Sequence, residues 1–212
     1  MRRLYETHVL PRLIHLACRG REFGEVRRRY LAGLSGKVLE VGMGSGTSIP
    51  CYPPTLETLY VVEPSHVARR LARSRMAEAP FPVEVVGLDG QSLPLPDASV
   101  DGAASTWTLC TIPDVVRALS EIRRVLKPGA PFHFVEHGRS PDPAVARWQD
   151  RLNPLQKVIA GGCHLNRPIE RLLLEAGFEI ERMDRFYMDT GPKVLTYLYA
   201  GVAHSRSSAA GR

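Results

Sequence analysis

From Lys37 onward the chain alternates short apolar runs with segments whose apolar residues recur at helical spacing. This is the pattern of βα units feeding a parallel sheet. The runs are Val38–Val41, Leu59–Val62, Val83–Val86, Ser99–Ala104, Phe132–Val135, Phe178–Ile180 and Lys193–Gly201. Strands covered on both faces read as continuous apolar stretches, as these do. Between them, Ser65 is placed to cap a helix bearing Val67 and Leu71. Val115, Leu119, Ile122 and Leu126 form an amphipathic stripe, with Pro113 suited to its first turn and Lys127-Pro128-Gly129 as its stop. Ile169, Leu172, Leu173 and Ala176 form another stripe between Pro168 and Gly177.

Two segments fall outside the alternation. Residues 1–36 read as helical and basic, with Leu10, Leu13, Ile14 and Ala17 on one face. Residues 138–164 carry Val145, Trp148, Leu152, Leu155 and Ile159 at helical spacing, and Pro154 is expected to split them into two short helices. The resulting organisation is an N-terminal helical segment (1–36) over the site, a main domain (37–204) with an insertion (138–164), and a disordered tail (205–212). The apolar stripes of both outlying segments are expected to be core contacts before they are substrate walls.

At 212 residues, 44% hydrophobic and 24% charged, the composition suits one soluble domain and excludes a wholly disordered, collagenous or multi-span chain. No secretory leader is legible and no apolar run is long enough to cross a bilayer. The four cysteines form no CxxC pair, so neither a disulfide scaffold nor a metal site is expected, and a reduced, cytoplasmic setting is. The net charge of +6 owes much to arginines before Lys37. It admits a weak peripheral membrane contact. No aromatic-rich binding module accompanies it, so no nucleic acid partner is expected.

The chemistry concentrates at Glu40-Val41-Gly42-Met43-Gly44-Ser45-Gly46, between a buried strand and an expected helix. Glycines there let the backbone turn sharply and approach a ligand. Glu63 ends the second strand, where a carboxylate can accept both hydrogens of a ribose diol. A dinucleotide site would need a small residue three beyond Gly44, where Thr47 stands. Glu40 would repel a pyrophosphate and suits a ligand that carries positive charge.

Val38 to Gly46, Val62-Glu63-Pro64, Leu88 to Asp97, Val100 to Leu109 and Leu126 to Ala130 together resemble the ordered motifs of class I S-adenosylmethionine-dependent methyltransferases. The resemblance implies an α/β fold with a seven-stranded, mostly parallel, Rossmann-like sheet and helices on both faces. It implies S-adenosyl-L-methionine as cofactor. Glu40, Gly42, Gly44 and Gly46 would hold its amino-acid moiety. Glu63, with Pro64, would hold the ribose, and Asp89, with Gly90 and Gln91, the adenine. Thr106 and Trp107 would lie against it. Leu4-Tyr5-Glu6, Val135-Glu136-His137-Gly138, Trp148 to Pro154 and Gly161 to Arg167 resemble one branch more closely. That branch comprises bacterial relatives of the alkyl-thiol methyltransferases, and more distantly the chain is similar to the ubiquinone and menaquinone biosynthesis C-methyltransferases and to phospholipid N-methyltransferases.

The expected function is direct methyl transfer to a small-molecule acceptor. A non-catalytic cofactor-binding regulator and an RNA methyltransferase are the alternatives. On the acceptor side stand Glu136, His137, Cys163, His164, Asn166 and Arg167. His137 is the first choice for a base, since neutral imidazole suits pH 7. Either His137 or Glu136 could instead hydrogen-bond the neighbouring loop. Cys163 reads as a structural thiol, because direct transfer needs no enzyme nucleophile. A metal set of His133, His137, Cys163 and His164 is disfavoured because His133 alternates away from its strand neighbours.

Overall fold

The computed structural model describes residues 4–205. Its centre is a seven-stranded sheet in the order β3-β2-β1-β4-β5-β7-β6. The strands are β1 (Gly36–Val41), β2 (Leu56–Val62), β3 (Val83–Gly87), β4 (Gly102–Thr106), β5 (Pro131–His137), β6 (Phe178–Tyr187) and β7 (Tyr197–Ser205). The first five pair in parallel, and β7 runs antiparallel between β5 and β6. β1 and β4 are neighbours from which the order runs outward in opposite directions. Their carboxyl ends form the switch point where open α/β sheets bind ligands.

The helices are α1 (Leu10–Cys18), entered through a π-helical turn at Tyr5–Val9, then α2 (Arg21–Leu31), α3 (His66–Ala77) and α4 (Val115–Val125). After these come α5 (Pro143–Ile159), α6 (Ile169–Glu175) and the single turn α7 (Lys193–Thr196). One face of the sheet packs Leu39, Val41, Phe132 and Phe134 against Leu119 and Ile122 of α4 and Ile169 and Leu173 of α6. The other buries Val38, Leu59, Val61 and Ala104 with Leu31 of α2 and Ala72 of α3. Ser65 caps α3, accepting from the Ala68 amide at 3.2 Å. Leu71 is only half buried there, with Ala68 and Ala72 taking the inward positions.

Several boundaries differ from the sequence reading. Only a 3-10 turn at Ile49–Cys51 follows the glycine turn where a helix was expected. Pro50, Pro53 and Pro54 deny the segment amide donors. Asp114 caps α4 through its side chain, so Pro113 precedes the helix. β4 starts at Gly102 because the Ser99 and Val100 amides bond the Val125 carbonyl instead. Lys193–Thr196 is helical, and β7 starts only at Tyr197. Ser205 ends β7; the rest of the expected tail lies outside the described residues.

α5 continues through Pro154 as one helix. The carbonyl that Pro154 leaves unpaired belongs to Asp150, an exposed residue where water can satisfy it. Among the described residues no helix is long and apolar enough to cross a membrane.

Candidate functional site

A cleft of about 1030 Å³ opens beyond the carboxyl ends of β1, β2, β3 and β4, and α1 and α5 wall its outer side. Its floor is the glycine turn. The Gly42 amide reaches across to the Val62 carbonyl at 2.9 Å. Gly42 has φ +82°, and a Cβ there would sit 2.1 Å from Thr108 Oγ1. Gly44 has φ +58°, yet a Cβ there would meet nothing within 4 Å, because the cleft lies in front of it. Both positions require glycine, the first for a neighbour and the second for the space a ligand would fill.

Glu63 is buried at the cleft edge, with 7% exposure. Its Oε2 accepts from the Gly44 amide at 2.7 Å and its Oε1 from the Ser65 amide at 2.8 Å. Burial pushes its carboxyl up, while these two donors and Arg69 pull it down. One donor on each oxygen fixes the carboxylate and leaves each a further lone pair for a ligand hydroxyl. Asp89 stands exposed across the cleft, its Oδ1 taking the Gln91 amide at 2.9 Å and the Gln91 Nε2 at 3.0 Å.

Of the positions read from the sequence, Gly42, Gly44, Glu63, Pro64, Asp89, Gly90, Gln91, Thr106 and Trp107 all line this cleft. Glu40 and Gly46 do not. Gly46 faces α3, where an added Cβ would lie 3.0 Å from Ala72 Cβ. Glu40 is fully buried beneath the turn, and its Oε2 accepts from Ser48 Oγ at 2.8 Å. Its Oε1 has no hydrogen-bond partner. Its influence on the cleft is therefore indirect, exerted from below the turn.

Burial pushes the Glu40 carboxyl up to about 7, against the Ser48 hydroxyl and the Arg27 charge. A carboxyl raised by folding favours the folded state most below its ordinary value of 4.5, and that advantage is lost as pH rises through about 7. A shift of this size corresponds to about 3 kcal/mol in full, of which most falls between pH 5 and pH 8.5. Glu40→Gln removes the titration. Its melting temperature relative to the natural protein is expected to gain ~4–10 °C between pH 5 and pH 8.5. A pH-independent difference between the two would refute the assignment.

Glu136 and His137 also lie off the cleft surface. Glu136 is fully buried, and its Oε1 accepts from Ser105 Oγ at 2.7 Å and from the Thr108 and Leu109 amides at 3.0 Å. Its Oε2 takes the Cys110 amide at 3.3 Å. Arg167 holds the same loop by its carbonyls, donating to Leu109 and Ile112 oxygens at 2.6 Å each. This carboxylate has no free face toward an acceptor; it organises the loop that carries Trp107 and Thr108. The Trp107 ring stands 6.5 Å from His137, between centroids. Of the disfavoured metal set, His133 faces the Tyr30 carbonyl and His164 the Cys110 carbonyl. Cys163 meets Cys110 and not its chain neighbour His164, the two sulfurs being 3.6 Å apart.

Two cleft groups, His15 and Arg27, escaped the sequence reading. His15 of α1 contacts Ser45 Oγ through Nδ1 at 2.8 Å. Burial, with Arg75 and Arg19 nearby, holds its imidazole below the usual histidine range, hence neutral at pH 7. Arg27 of α2 lays its guanidinium 4.8 Å over the Trp107 ring. Trp107 itself has φ +53°, and its Nε1 is buried with no hydrogen-bond partner. Such backbone strain in a non-glycine residue is characteristic of ligand sites. The only hint of His15 was a polar residue interrupting Leu13, Ile14 and Leu16.

The α1 and α5 stripes are not the core contacts expected of them. Leu13, Ile14, Trp148, Leu155 and Ile159 are all exposed, and only Leu10 of that set is buried. Leu10 and Ile14 line the cleft, as do Pro154 and Val158. The Tyr5 hydroxyl donates to the Ile159 carbonyl at 2.7 Å, tying the two walls together.

The donor set suits a cationic nucleoside. Glu63 offers two acceptor oxygens, the buried Glu40 adds negative charge below once pH rises through about 7, and Gly44 leaves room. No helix N-terminus follows the glycine turn to receive a pyrophosphate.

Residues 39–134 match the family described as a methyltransferase domain. The chain is 32% identical over 175 residues to thiol S-methyltransferase TMT1B of Homo sapiens, covering 78% of this chain and 72% of that protein. It is 30% identical over 172 residues to phosphatidylethanolamine N-methyltransferase of Cereibacter sphaeroides, covering 74% and 81% respectively. A crystal structure of a SAM-dependent methyltransferase from Methanosarcina mazei shares the fold, with TM-score 0.60 and 24% identity over 80% of this chain and 92% of the other.

Proposed function

The chain belongs to the S-adenosylmethionine-dependent methyltransferases, and from that premise we propose that it methylates a small lipophilic acceptor directly, a thiol being the first class to test. The observation that carries the reading is the apolar outer cleft, where Leu10, Pro11 and Ile14 of α1 face Pro154 and Val158 of α5. The relatives named for thiol and phosphatidylethanolamine methylation support an acceptor of apolar character. In this reading residues 4–31 and α5 form the cover of the site.

When bound, the cofactor supplies a methyl group on a sulfonium, open to in-line displacement. The residues' part is placement, which can lower such a barrier by several kcal/mol. Glu63 would hold the ribose diol. The Gly42–Gly44 backbone would receive the amino-acid moiety, with Glu40 beneath the turn. Asp89, Gly90 and Gln91 would hold the adenine, and Thr106 and Trp107 would lie against the cofactor. The apolar walls exclude water and seat the acceptor's hydrocarbon part.

His15 is the group we assign to proton acceptance, since it is neutral at pH 7 and stands on the cleft surface beside Ser45. His15→Gln is expected to lower kcat for a thiol acceptor at pH 7 by ~10–100-fold. S-adenosylhomocysteine affinity should change little, and activity should recover as pH approaches the thiol's own pKa. An unchanged pH profile would remove His15 from the mechanism. The function itself is tested by product analysis with thiol, phenol, quinone and amine panels. Tight S-adenosylhomocysteine binding with no methylated product from any of them would favour a regulatory protein instead.

A further inference from the structure

Behind the cleft wall, three side chains from separate parts of the chain converge. Cys110 comes from the loop after β4, His137 from the end of β5, and Cys163 from the connection between α5 and α6. One ligand atom from each lies within 4.8 Å of the other two. Both cysteines are buried and free of disulfide. The His137 Nδ1 is buried and makes no hydrogen bond. From this convergence we infer a metal site for one thiophilic divalent ion, zinc foremost, bound by the Cys110 and Cys163 thiolates and a His137 ring nitrogen.

The geometry favours this over a disulfide. Two thiolates on a tetrahedral zinc, each with a bond of ~2.3 Å, stand ~3.8 Å apart. The Cys110 and Cys163 sulfurs are 3.6 Å apart, whereas a disulfide would have to draw them to ~2.05 Å. The frame resists such a shift. Glu136 takes three amides of the Cys110 loop and Arg167 takes two of its carbonyls. The His164 amide adds a bond to the Cys110 carbonyl at 2.8 Å.

Preorganisation of this kind is what a metal site requires of its outer partners. Binding releases the two thiol protons, and the resulting two-thiolate, one-imidazole centre carries no net charge, which suits burial. Three protein ligands leave a fourth position for water. The ion would staple the Gly161–Gly162 stretch, which lines the cleft, to the Thr108–Thr111 side of the same cleft. Its role is to fix the acceptor wall, independently of the methyl donor.

The test uses full-length protein purified under reducing conditions, stripped with a chelator and titrated with cobalt(II), then with zinc(II). About one equivalent should bind. Cobalt should give the intense near-ultraviolet thiolate-to-metal band of a sulfur-ligated site, and zinc should abolish it. Cys110→Ser, Cys163→Ser and His137→Ala should each weaken metal binding by more than the ~10–100-fold that loss of an outer partner costs. Cys51→Ser, which alters a buried thiol outside the cluster, should leave the band intact. A natural-sequence protein that gives no such band with all four thiols titratable would overturn the site. So would loss of two thiols to a Cys110–Cys163 disulfide in the untreated protein.

Discussion

Gly44→Val is expected to weaken S-adenosylhomocysteine binding by ~1000-fold or more, with the protein still folded. Two features of this one position set the outcome. Nothing of the protein lies within 4 Å of a Cβ built on Gly44, so the branched side chain has room to extend into the cleft. That same room is where the proposed site seats the cofactor, so ligand and side chain should exclude each other. The φ of +58° adds strain of ~1–3 kcal/mol to the folded state, visible as a lower melting temperature.

Glu63→Ala tests the same site by chemistry. In the proposed site it removes the acceptor of two ribose hydroxyl bonds, each worth ~1.5–3 kcal/mol to a charged partner, or ~100-fold or more together. Glu63→Gln should lie between, because an amide has one acceptor oxygen for the backbone donors that now occupy two. Calorimetry reads both series. If Gly44→Val binds within threefold of the natural protein, the ligand does not lie over the glycine turn, and the ribose assignment of Glu63 falls with it.

The sequence made this part of the site legible because its physics is local. A glycine turn at the end of an apolar run, an acid at the end of the next run, and an Asp-Gly-Gln loop after the third are each contiguous. The sheet then sets them side by side. The strands were legible for a similar reason, since burial on both faces leaves unbroken runs such as Val38–Val41. What was not legible depends on long-range placement. Glu40 reads as a ligand-facing acid, but alternation along β1 turns it under the floor. The apolar stripe of α1 reads as core because periodicity records an apolar face and not what that face meets.

Proline chemistry misled in both directions. Pro50, Pro53 and Pro54 suppressed an expected helix in a tight turn. Pro154 failed to break one whose freed carbonyl faces water. His15 and the Cys110, His137 and Cys163 cluster carry no spacing signal at all, since their members meet only through the tertiary fold.

Glu136 is where a catalytic role and a structural one diverge most sharply in their consequences, and Glu136→Ala should destabilise the protein by about 4–5 kcal/mol. The carboxylate is fully buried and accepts four hydrogen bonds, three of them from consecutive backbone amides. Its loss strands donors that water cannot reach at ~1–3 kcal/mol each, some of which local relaxation recovers. In a domain of this size the melting temperature should fall by ~10–20 °C. Glu136→Gln keeps the shape but sets an amide NH2 against the donors of one oxygen, and about half the loss is expected.

The Arg167 side chain predicts the partner result. Arg167→Ala frees the Leu109 and Ile112 carbonyls on the opposite side of the same loop, so the double variant should cost less than the sum of the singles. A proton-transfer residue would behave otherwise. Its Gln variant would melt normally and lose activity at every temperature, with the acid limb of the pH profile displaced. If Glu136→Gln keeps full stability while kcat collapses, the loop-holding account is wrong and Glu136 returns to the chemistry. If stability falls and the residual folded enzyme retains its kcat, the carboxylate acts only by holding Trp107 and Thr108 in position.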